Sequence, residues 1–156
     1  MLAIETKPIV EQFGINLYTS CIPEGLDKDV NYVIKTSGLD EPFDYENSKY
    51  FIVAKNGDDV IGLVVYGVMQ VGQATLPRFL HIIIAPKYKR SKLAYKMLLD
   101  SEQELLKLGF KFITCFVRFD LASRDMKIKY ALKWDYRKYK QNDEGEFFYK
   151  IIKERI

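Results

Sequence analysis

The segment 79–117 constrains the fold of this chain more than any other. Residues 79–85 form a run of strand length that is apolar except at His81, which is typical of a strand covered on both faces. Pro86 ends the run, and apolar side chains then recur along one stripe, which predicts an amphipathic helix from residue 91 or 92 to 108. The apolar run 110–117 follows as a second strand. A strand–helix–strand unit of this kind predicts a right-handed crossover between two parallel strands.

A β-hairpin is predicted before this unit. Residues 50–55 and 60–71 are mostly apolar and rich in β-branched side chains, and Asn56-Gly57 between them tolerates the positive φ of a tight turn. Glycines thin the second of these strands, which suits a bulge or a twisted edge. We expect a loop around Pro77 to connect it to the apolar strand that follows.

A second hairpin is predicted near the end of the chain. The pattern over 123–133 predicts a short helix with Ser123 as its N-cap, and residues 136–140 and 146–153 predict an antiparallel pair of strands. The hairpins and the parallel unit together predict an α/β (α+β) fold. We expect a mixed, mostly antiparallel sheet with a central parallel strand pair and helices on both faces.

The N-terminal third is less distinct. Residues 9–21 suit a short helix or a strand, whereas 27–37 predict a helix that begins at an aspartate and ends before Gly38. No linker, repeat or low-complexity tract divides the 156 residues. We therefore expect a single domain over 1–156.

Composition excludes several classes of protein. With 48% apolar and 14% aromatic residues the chain can build a core, and no apolar run is long enough to cross a bilayer. The first residues lack the pattern of a secretory signal, so a cytoplasmic location is expected. Two cysteines, Cys21 and Cys115, and one histidine offer no set of zinc ligands, so no metal is expected.

The net charge of +3 hides a strong asymmetry, because residues 1–59 carry −6 and residues 60–156 carry +9. A basic C-terminal half favours an anionic partner such as phosphate, a nucleotide-like cofactor or nucleic acid, and a solvated basic face is the alternative. The charge is densest at 87–92, where four cations with no acid among them precede the predicted helix. Since a helix N-terminus attracts anions, pyrophosphate is the natural ligand of this loop.

At this loop the sequence resembles the GNAT-type acetyltransferases, which are related to the histone and aminoglycoside N-acetyltransferases. Their signature is an apolar strand, a proline, a loop of the form Gln/Arg-x-x-Gly-x-Gly/Ala and a long helix. Here Ile84-Ala85-Pro86-x-Tyr88 matches the strand exit, and Lys89-Arg90-Ser91-Lys92-Leu93-Ala94 falls on the loop. Lys92 stands where the family usually has glycine, and a glycine there is expected to cost about 1 kcal/mol of helix propensity. The resemblance covers roughly residues 50–153.

The resemblance implies acetyl-coenzyme A as co-substrate and indicates which residues would bind it. The loop backbone would hold the pyrophosphate, and the pantetheine would lie between two splayed strands, bonded to the freed backbone of Ile82 and Ile84. Ser123 and Asp135-Tyr136 are loose counterparts of an asparagine and a Gly-Phe pair in the second half of the family pattern. The implied binding set is Ile82, Ile84, Lys87, Lys89, Arg90, Ser91, Lys92, Leu93, Ala94 and Ser123.

Two residues are candidates for catalysis by the same resemblance. Some family members use a histidine on the strand before the loop as general base, and His81 lies there. An imidazole titrates near neutrality and can take a proton from an ammonium, although a buried histidine with satisfied hydrogen bonds is the alternative. Tyr130 lies near, and one residue out of register with, the tyrosine that protonates the coenzyme A thiolate. The chain has 11 tyrosines, so a chance occurrence is its alternative.

The activity implied is N-acetylation of an amine by direct attack on acetyl-coenzyme A, in which positioning and backbone N–H groups do most of the catalysis. The acceptor, a small-molecule or peptide amine, would be set by acceptor-side helices within 1–48, whereas 49–156 would form the sheet and the cofactor-binding core. The negative charge of 1–59 hints at a cationic acceptor. The alternative is a catalytically degenerate fold that acts as a binding or structural module for a protein partner or nucleic acid. Nucleic acid is the less favoured of these, since no helix-turn-helix pattern occurs. A homodimer stays open, and no membrane partner is expected.

Overall fold

The structure, a computed structural model, describes residues 14–19, 27–36, 42–89 and 92–154. The strands are β1 Gly14–Thr19, β2 Tyr50–Asn56, β3 Asp59–Val71, β4 Ala74–Ile84, β5 Phe112–Arg118, β6 Arg137–Gln141 and β7 Gly145–Ile151. The helices are α1 Asp27–Thr36, α2 Leu93–Lys107 and α3 Arg124–Lys133. A 3-10 turn, Pro86–Tyr88, follows β4.

The strands of the described residues form one mixed sheet in the order β1-β2-β3-β4-β5-β7-β6. Each neighbouring pair is antiparallel except β4 and β5, which are parallel and are connected through α2. This topology confirms the predicted fold class, including the central parallel pair.

Helices cover both faces of the sheet. On the face that we call the α1 face, Val30 and Val33 pack against buried side chains of β2, β3 and β4. On the opposite α2 face, Leu93, Met97 and Leu105 of α2 pack in a second core to which α3 also contributes. Each fully buried side chain of this size contributes about 1.5–3 kcal/mol. None of the described helices is long and apolar enough to cross a membrane.

Strand alternation assigns the residues of β4 to the two faces. Ile83 belongs to the α1-face core, whereas Ile82 and Ile84 pack against the α2-face core. His81 lies opposite Val65, a residue of the α1-face core, so its side chain is on the α1 face as well. The strand thus presents different chemistry to its two sides.

β4 is longer than predicted, and the expected loop around Pro77 is part of the strand. Pro77 pairs with Val68 of β3, and its carbonyl oxygen accepts a hydrogen bond from Thr114 Oγ1 at 3.0 Å. Because the nitrogen and oxygen of one strand residue point to the same edge, the missing proline N–H faces β5 rather than the β3 ladder. The proline therefore costs no hydrogen bond between β3 and β4.

A bulge interrupts the β3–β4 ladder beside the parallel pair. Val65 lies opposite His81 and Tyr66 lies opposite Phe79, so Leu80 is an extra residue in β4. Bulges re-aim side chains and occur next to functional sites. The bulge expected in the glycine-thinned β3 lies in its ladder with β2, where Ile61, next to Gly62, is the extra residue.

The segment 1–48 contains both a strand and a helix among its described residues. β1 falls within 9–21, where helix and strand were both open, and α1 confirms the helix predicted over 27–37. The loop 42–48 then lies against the sheet. A Cβ on Gly67 would come 2.5 Å from the carbonyl oxygen of Asn47, so this glycine permits the close approach of the loop.

Candidate functional site

The two parallel strands separate soon after they meet. β4 and β5 pair only where Arg78 and Phe79 lie beside Thr114 and Cys115. Beyond this point the β5-side edge of residues 80–84 has no strand partner among the described residues. A cleft of about 950 Å³ occupies the gap and is lined by residues from both strands, α2, α3 and the 42–48 loop. Unpaired backbone N–H and C=O groups along such an edge can bind an extended ligand chain.

Several residues of the implied binding set meet on the α2 face of this cleft. Ile82 and Ile84 line it from β4, and Leu93 and Ala94 line it from the first turn of α2. Leu93 is 2% exposed and belongs to the core, whereas Ala94 is half-buried. The structure therefore brings β4 and the start of α2 together along one side of the cleft.

The turn before α2 is cationic where it is described. Lys89 and Lys92 are exposed and line the cleft, whereas Arg90 and Ser91 lie outside the described residues. The first turn of α2 has no acidic residue, and the Lys92 side chain does not cap it. The N–H groups of this turn therefore suit an anion. Lys87 is not among the cleft-lining residues, and its Nζ lies 6.0 Å from the ring centre of Tyr88.

Lys92 has an unusual backbone conformation. Its φ is +63°, in the left-handed region that glycine adopts easily and other residues avoid. The other described non-glycine residue with positive φ is Asp135, at +70°. Both are positions where the resemblance places a glycine of the family pattern, so the backbone agrees with that alignment.

α3 forms the far wall of the cleft. Ser123 occupies the N-cap position of α3, as predicted, but its side chain makes no capping hydrogen bond. Tyr130 lines the cleft, is 42% exposed and stacks on Trp134 with ring centres 5.5 Å apart. Ala131, the next residue, is buried and also lines the cleft.

His81 is buried on the α1 face of the cleft. Its Nε2 accepts a hydrogen bond from the Asp44 backbone N–H at 3.1 Å, and its ring stacks on Phe43 at 4.8 Å. An Nε2 that accepts a hydrogen bond belongs to a neutral imidazole with its proton on Nδ1. The histidine thus anchors the 42–48 loop at the mouth of the cleft.

Four cleft-lining residues on the α1 side were absent from the predicted site: Phe43, Asp44, Arg78 and Phe116. The Arg78 guanidinium carbon lies 5.6 Å from the ring centre of Phe116. Partial burial acts to raise the pKa of Asp44, but hydrogen bonds from Asn47 and the positive charge of Arg78 outweigh it, so the pKa lies below its usual value. The sequence analysis did not predict Arg78 as a site residue because it placed a loop around Pro77 and began the strand at residue 79.

Buried polar groups lie beneath the cleft on the α2 face. Glu102 of α2 and Lys150 of β7 form an ion pair at 2.9 Å, with side chains 8% and 13% exposed. Burial raises the pKa of Glu102 more than Lys150 lowers it. Nearby, Tyr66 and Ser101 share a hydrogen bond of 2.7 Å, and burial raises the pKa of the Tyr66 hydroxyl. These pairs connect α2 to the sheet.

No group of three His, Cys, Asp or Glu side chains within the described ranges could hold a metal ion. Cys115 is half-buried and lines the cleft beside Phe79.

The fold of this chain is similar to that of several solved GNAT acetyltransferase structures. A GNAT-family protein from Desulfovibrio desulfuricans aligns with 90% of this chain and all of its own, at 13% identity and a TM-score of 0.67. The ribosomal-protein-S18-alanine N-acetyltransferase of Escherichia coli aligns with 91% of this chain and 96% of its own, at 14% identity and a TM-score of 0.61. The PaiA N-acetyltransferase of Thermoplasma acidophilum, solved with coenzyme A, aligns with 65% of this chain, which spans 59% of that protein's length, at 16% identity and a TM-score of 0.51.

The sequence profile of the Acetyltransferase (GNAT) family matches residues 16–126. The chain therefore belongs to the GNAT acetyltransferase family. No curated protein sequence matches it significantly.

Proposed function

We propose that this protein transfers the acetyl group of acetyl-coenzyme A to an amine by direct attack. The observation that carries the proposal is the cleft between β4 and β5, which is lined by residues from both faces of the sheet. Two substrates can enter it from opposite sides and meet where the strands part. Holding them in this geometry removes most of the entropic cost of a bimolecular reaction.

The coenzyme would bind on the α2 face. The pyrophosphate would lie beside Lys89 and Lys92, in the segment whose sequence also contains Arg90 and Ser91, where cations and the N-terminus of α2 favour it. Leu93 and Ala94 would flank it, and the pantetheine would extend along the open edge of β4 at Ile82 and Ile84. Lys87 would add to the local positive potential without contacting the cleft, and Ser123 would line the α3 side.

The amine would approach from the α1 face. Its nitrogen forms a bond to the thioester carbonyl carbon, the carbon–sulfur bond breaks, and the sulfur leaves as a thiolate. We propose that His81 takes the proton that the amine loses and that Tyr130 protonates the thiolate. Because one lone pair serves one proton, the amine must replace the Asp44 N–H as the partner of His81 Nε2.

Release of free thiol from acetyl-coenzyme A in the presence of amines tests this proposal. The expected result is amine-dependent release that Ala94→Phe abolishes, since the larger side chain would fill the cleft at the start of α2. Ala74→Phe, at the exposed far end of β4, is the matched control and should retain the activity.

The second candidate is a non-catalytic binding module of the same fold. The observation in its favour is Lys92, whose side chain and strained backbone stand where the family pattern has glycine. The exposed strand β6, with Tyr139, Lys138 and Lys140, would be its contact surface for a nucleic acid or protein partner. Coenzyme A binding without amine-dependent thiol release, together with salt-dependent binding of RNA or DNA, would favour this candidate.

A further inference from the structure

Arg78 is a cation that the proposed coenzyme site does not use. It is half-buried at the apex of the cleft, where β4 and β5 part, and its Nε is shielded from solvent. Within the described ranges no carboxylate pairs with the guanidinium, and Nε has no hydrogen-bond acceptor. The contact that holds the group is its position over the ring of Phe116, at 5.6 Å.

The neighbouring carboxylate is already engaged. Asp44 is close enough for Arg78 to lower its pKa, but its two oxygens accept hydrogen bonds from the backbone and side-chain nitrogens of Asn47, at 3.1 and 2.9 Å. A shielded guanidinium nitrogen without an acceptor is costly, since such groups are normally hydrogen-bonded. The arrangement is favourable once an anion enters the cleft beside Arg78.

The position of Arg78 limits which anion this can be. Arg78 pairs with Thr114 at the point where β4 and β5 part, and it lies six residues before Ile84. At about 3.3 Å per strand residue, roughly 20 Å separate it from the cationic turn that would hold the pyrophosphate. Its side chain is also on the α1 face, opposite Ile82 and Ile84. The anion therefore belongs to the acceptor.

Resting on the proposed acetyl transfer, we propose that the acceptor carries a carboxylate next to its reacting amine and that Arg78 binds this carboxylate. A guanidinium recognises a carboxylate through two parallel N–H···O bonds, which fixes orientation as well as position. Because Arg78 is at the apex of the cleft, a carboxylate held there leaves a neighbouring amine at the place where the thioester would lie. A free α-amino acid and a peptide whose N-terminal residue is acidic both offer this chemistry.

Acceptor pairs that differ only in the carboxylate test the proposal. Thiol release from acetyl-coenzyme A is measured for tyrosine against tyramine and for glutamine against glutamine amide, and for peptides that begin with glutamate against glutamine. In any pair that is acetylated, the wild type should favour the acceptor with the carboxylate by at least about 20-fold in kcat/KM, as expected for a charge-assisted double hydrogen bond. Preference within the free amino acids or within the peptides tells the two sources apart.

The variant Arg78→Gln should remove this preference while leaving the uncharged acceptor within about 3-fold, and Arg78→Lys should restore part of it. Arg137→Gln, on the exposed strand β6, controls for the loss of one positive charge and should keep the preference. Equal rates within every pair, or an equal loss for both members in Arg78→Gln, would overturn the proposal.

If coenzyme A binds but nothing is acetylated, the proposed acetyl transfer has failed independently of the carboxylate site. Thermal shifts with the same acceptor pairs on the coenzyme A complex then decide, and shifts independent of Arg78 refute the carboxylate site.

Discussion

Replacing Lys92 by glycine tests how the start of α2 is built. Lys92 precedes the first residue of α2, is exposed and has a φ of +63°. From the sequence alone a glycine here is expected to cost helix propensity. The structure reverses that expectation, because the residue is an N-cap in the left-handed region rather than part of the helix interior.

The size of the effect follows from two opposing contributions. A non-glycine residue in the left-handed region costs about 1–2 kcal/mol. Glycine makes the unfolded chain more flexible, which takes back about 0.4–1 kcal/mol. The free energy of unfolding of Lys92→Gly should therefore exceed that of the wild type by about 0.5–1 kcal/mol. In a domain of this size that raises the Tm by about 1–4 °C.

Lys92→Ala is the matched control, since it removes the same charge but keeps a Cβ at the strained position. Urea unfolding should place Lys92→Gly above Lys92→Ala by most of this difference. In calorimetric titrations Lys92→Gly should bind coenzyme A as tightly as the wild type or more tightly, since glycine permits close approach of the backbone to a phosphate. Binding more than about tenfold weaker, or ~1.4 kcal/mol, would mean that Lys92 is a phosphate ligand and would refute this account.

Two further predictions concern buried titratable groups. In His81→Gln the amide oxygen can accept the hydrogen bond from the Asp44 N–H but cannot act as a base. If His81 is the base, kcat should therefore fall about 10²-fold with little change in Tm. An unchanged kcat would mean that His81 only anchors the 42–48 loop. For Glu102 the raised pKa means that the folded protein holds its proton more strongly than the unfolded chain, so the wild type loses stability as pH rises from 4.5 through the folded pKa. The free energy of unfolding of Glu102→Gln, measured in urea, should therefore rise relative to that of the wild type as pH rises over this range. A fall relative to the wild type would show that the Lys150 ion pair outweighs burial.

Local patterns predicted the elements because each has a clear signal. The apolar stripe of α2 and the Asn-Gly turn between β2 and β3 depend on near neighbours in sequence. The start of β4 was missed because a proline usually interrupts a strand ladder. Pro77 fits in the strand because its carbonyl oxygen accepts a hydrogen bond from the Thr114 hydroxyl, which is distant in sequence.

The candidate site divides in the same way. Residues of the α2 side follow one another along the strand, loop and helix, so a motif could indicate them. Arg78, Asp44 and Phe116 come from three separate segments, and they meet only because β5 pairs with β4 for two residues and Gly67 admits the 42–48 loop. Neither the short β4–β5 pairing nor the close approach of the loop at Gly67 can be recognised from a local sequence pattern.

Calorimetric titration of the protein with coenzyme A tests the central claim most directly. We predict saturable binding to one site, with affinity at least tenfold weaker in Ala94→Phe and unchanged in Ala74→Phe, whose side chain lies outside the cleft. Absence of binding up to about ten millimolar coenzyme A, equivalent to an affinity below about 3 kcal/mol, would contradict the assignment of the β4–β5 cleft as a coenzyme site. Equal affinity of the wild type and Ala94→Phe would do the same.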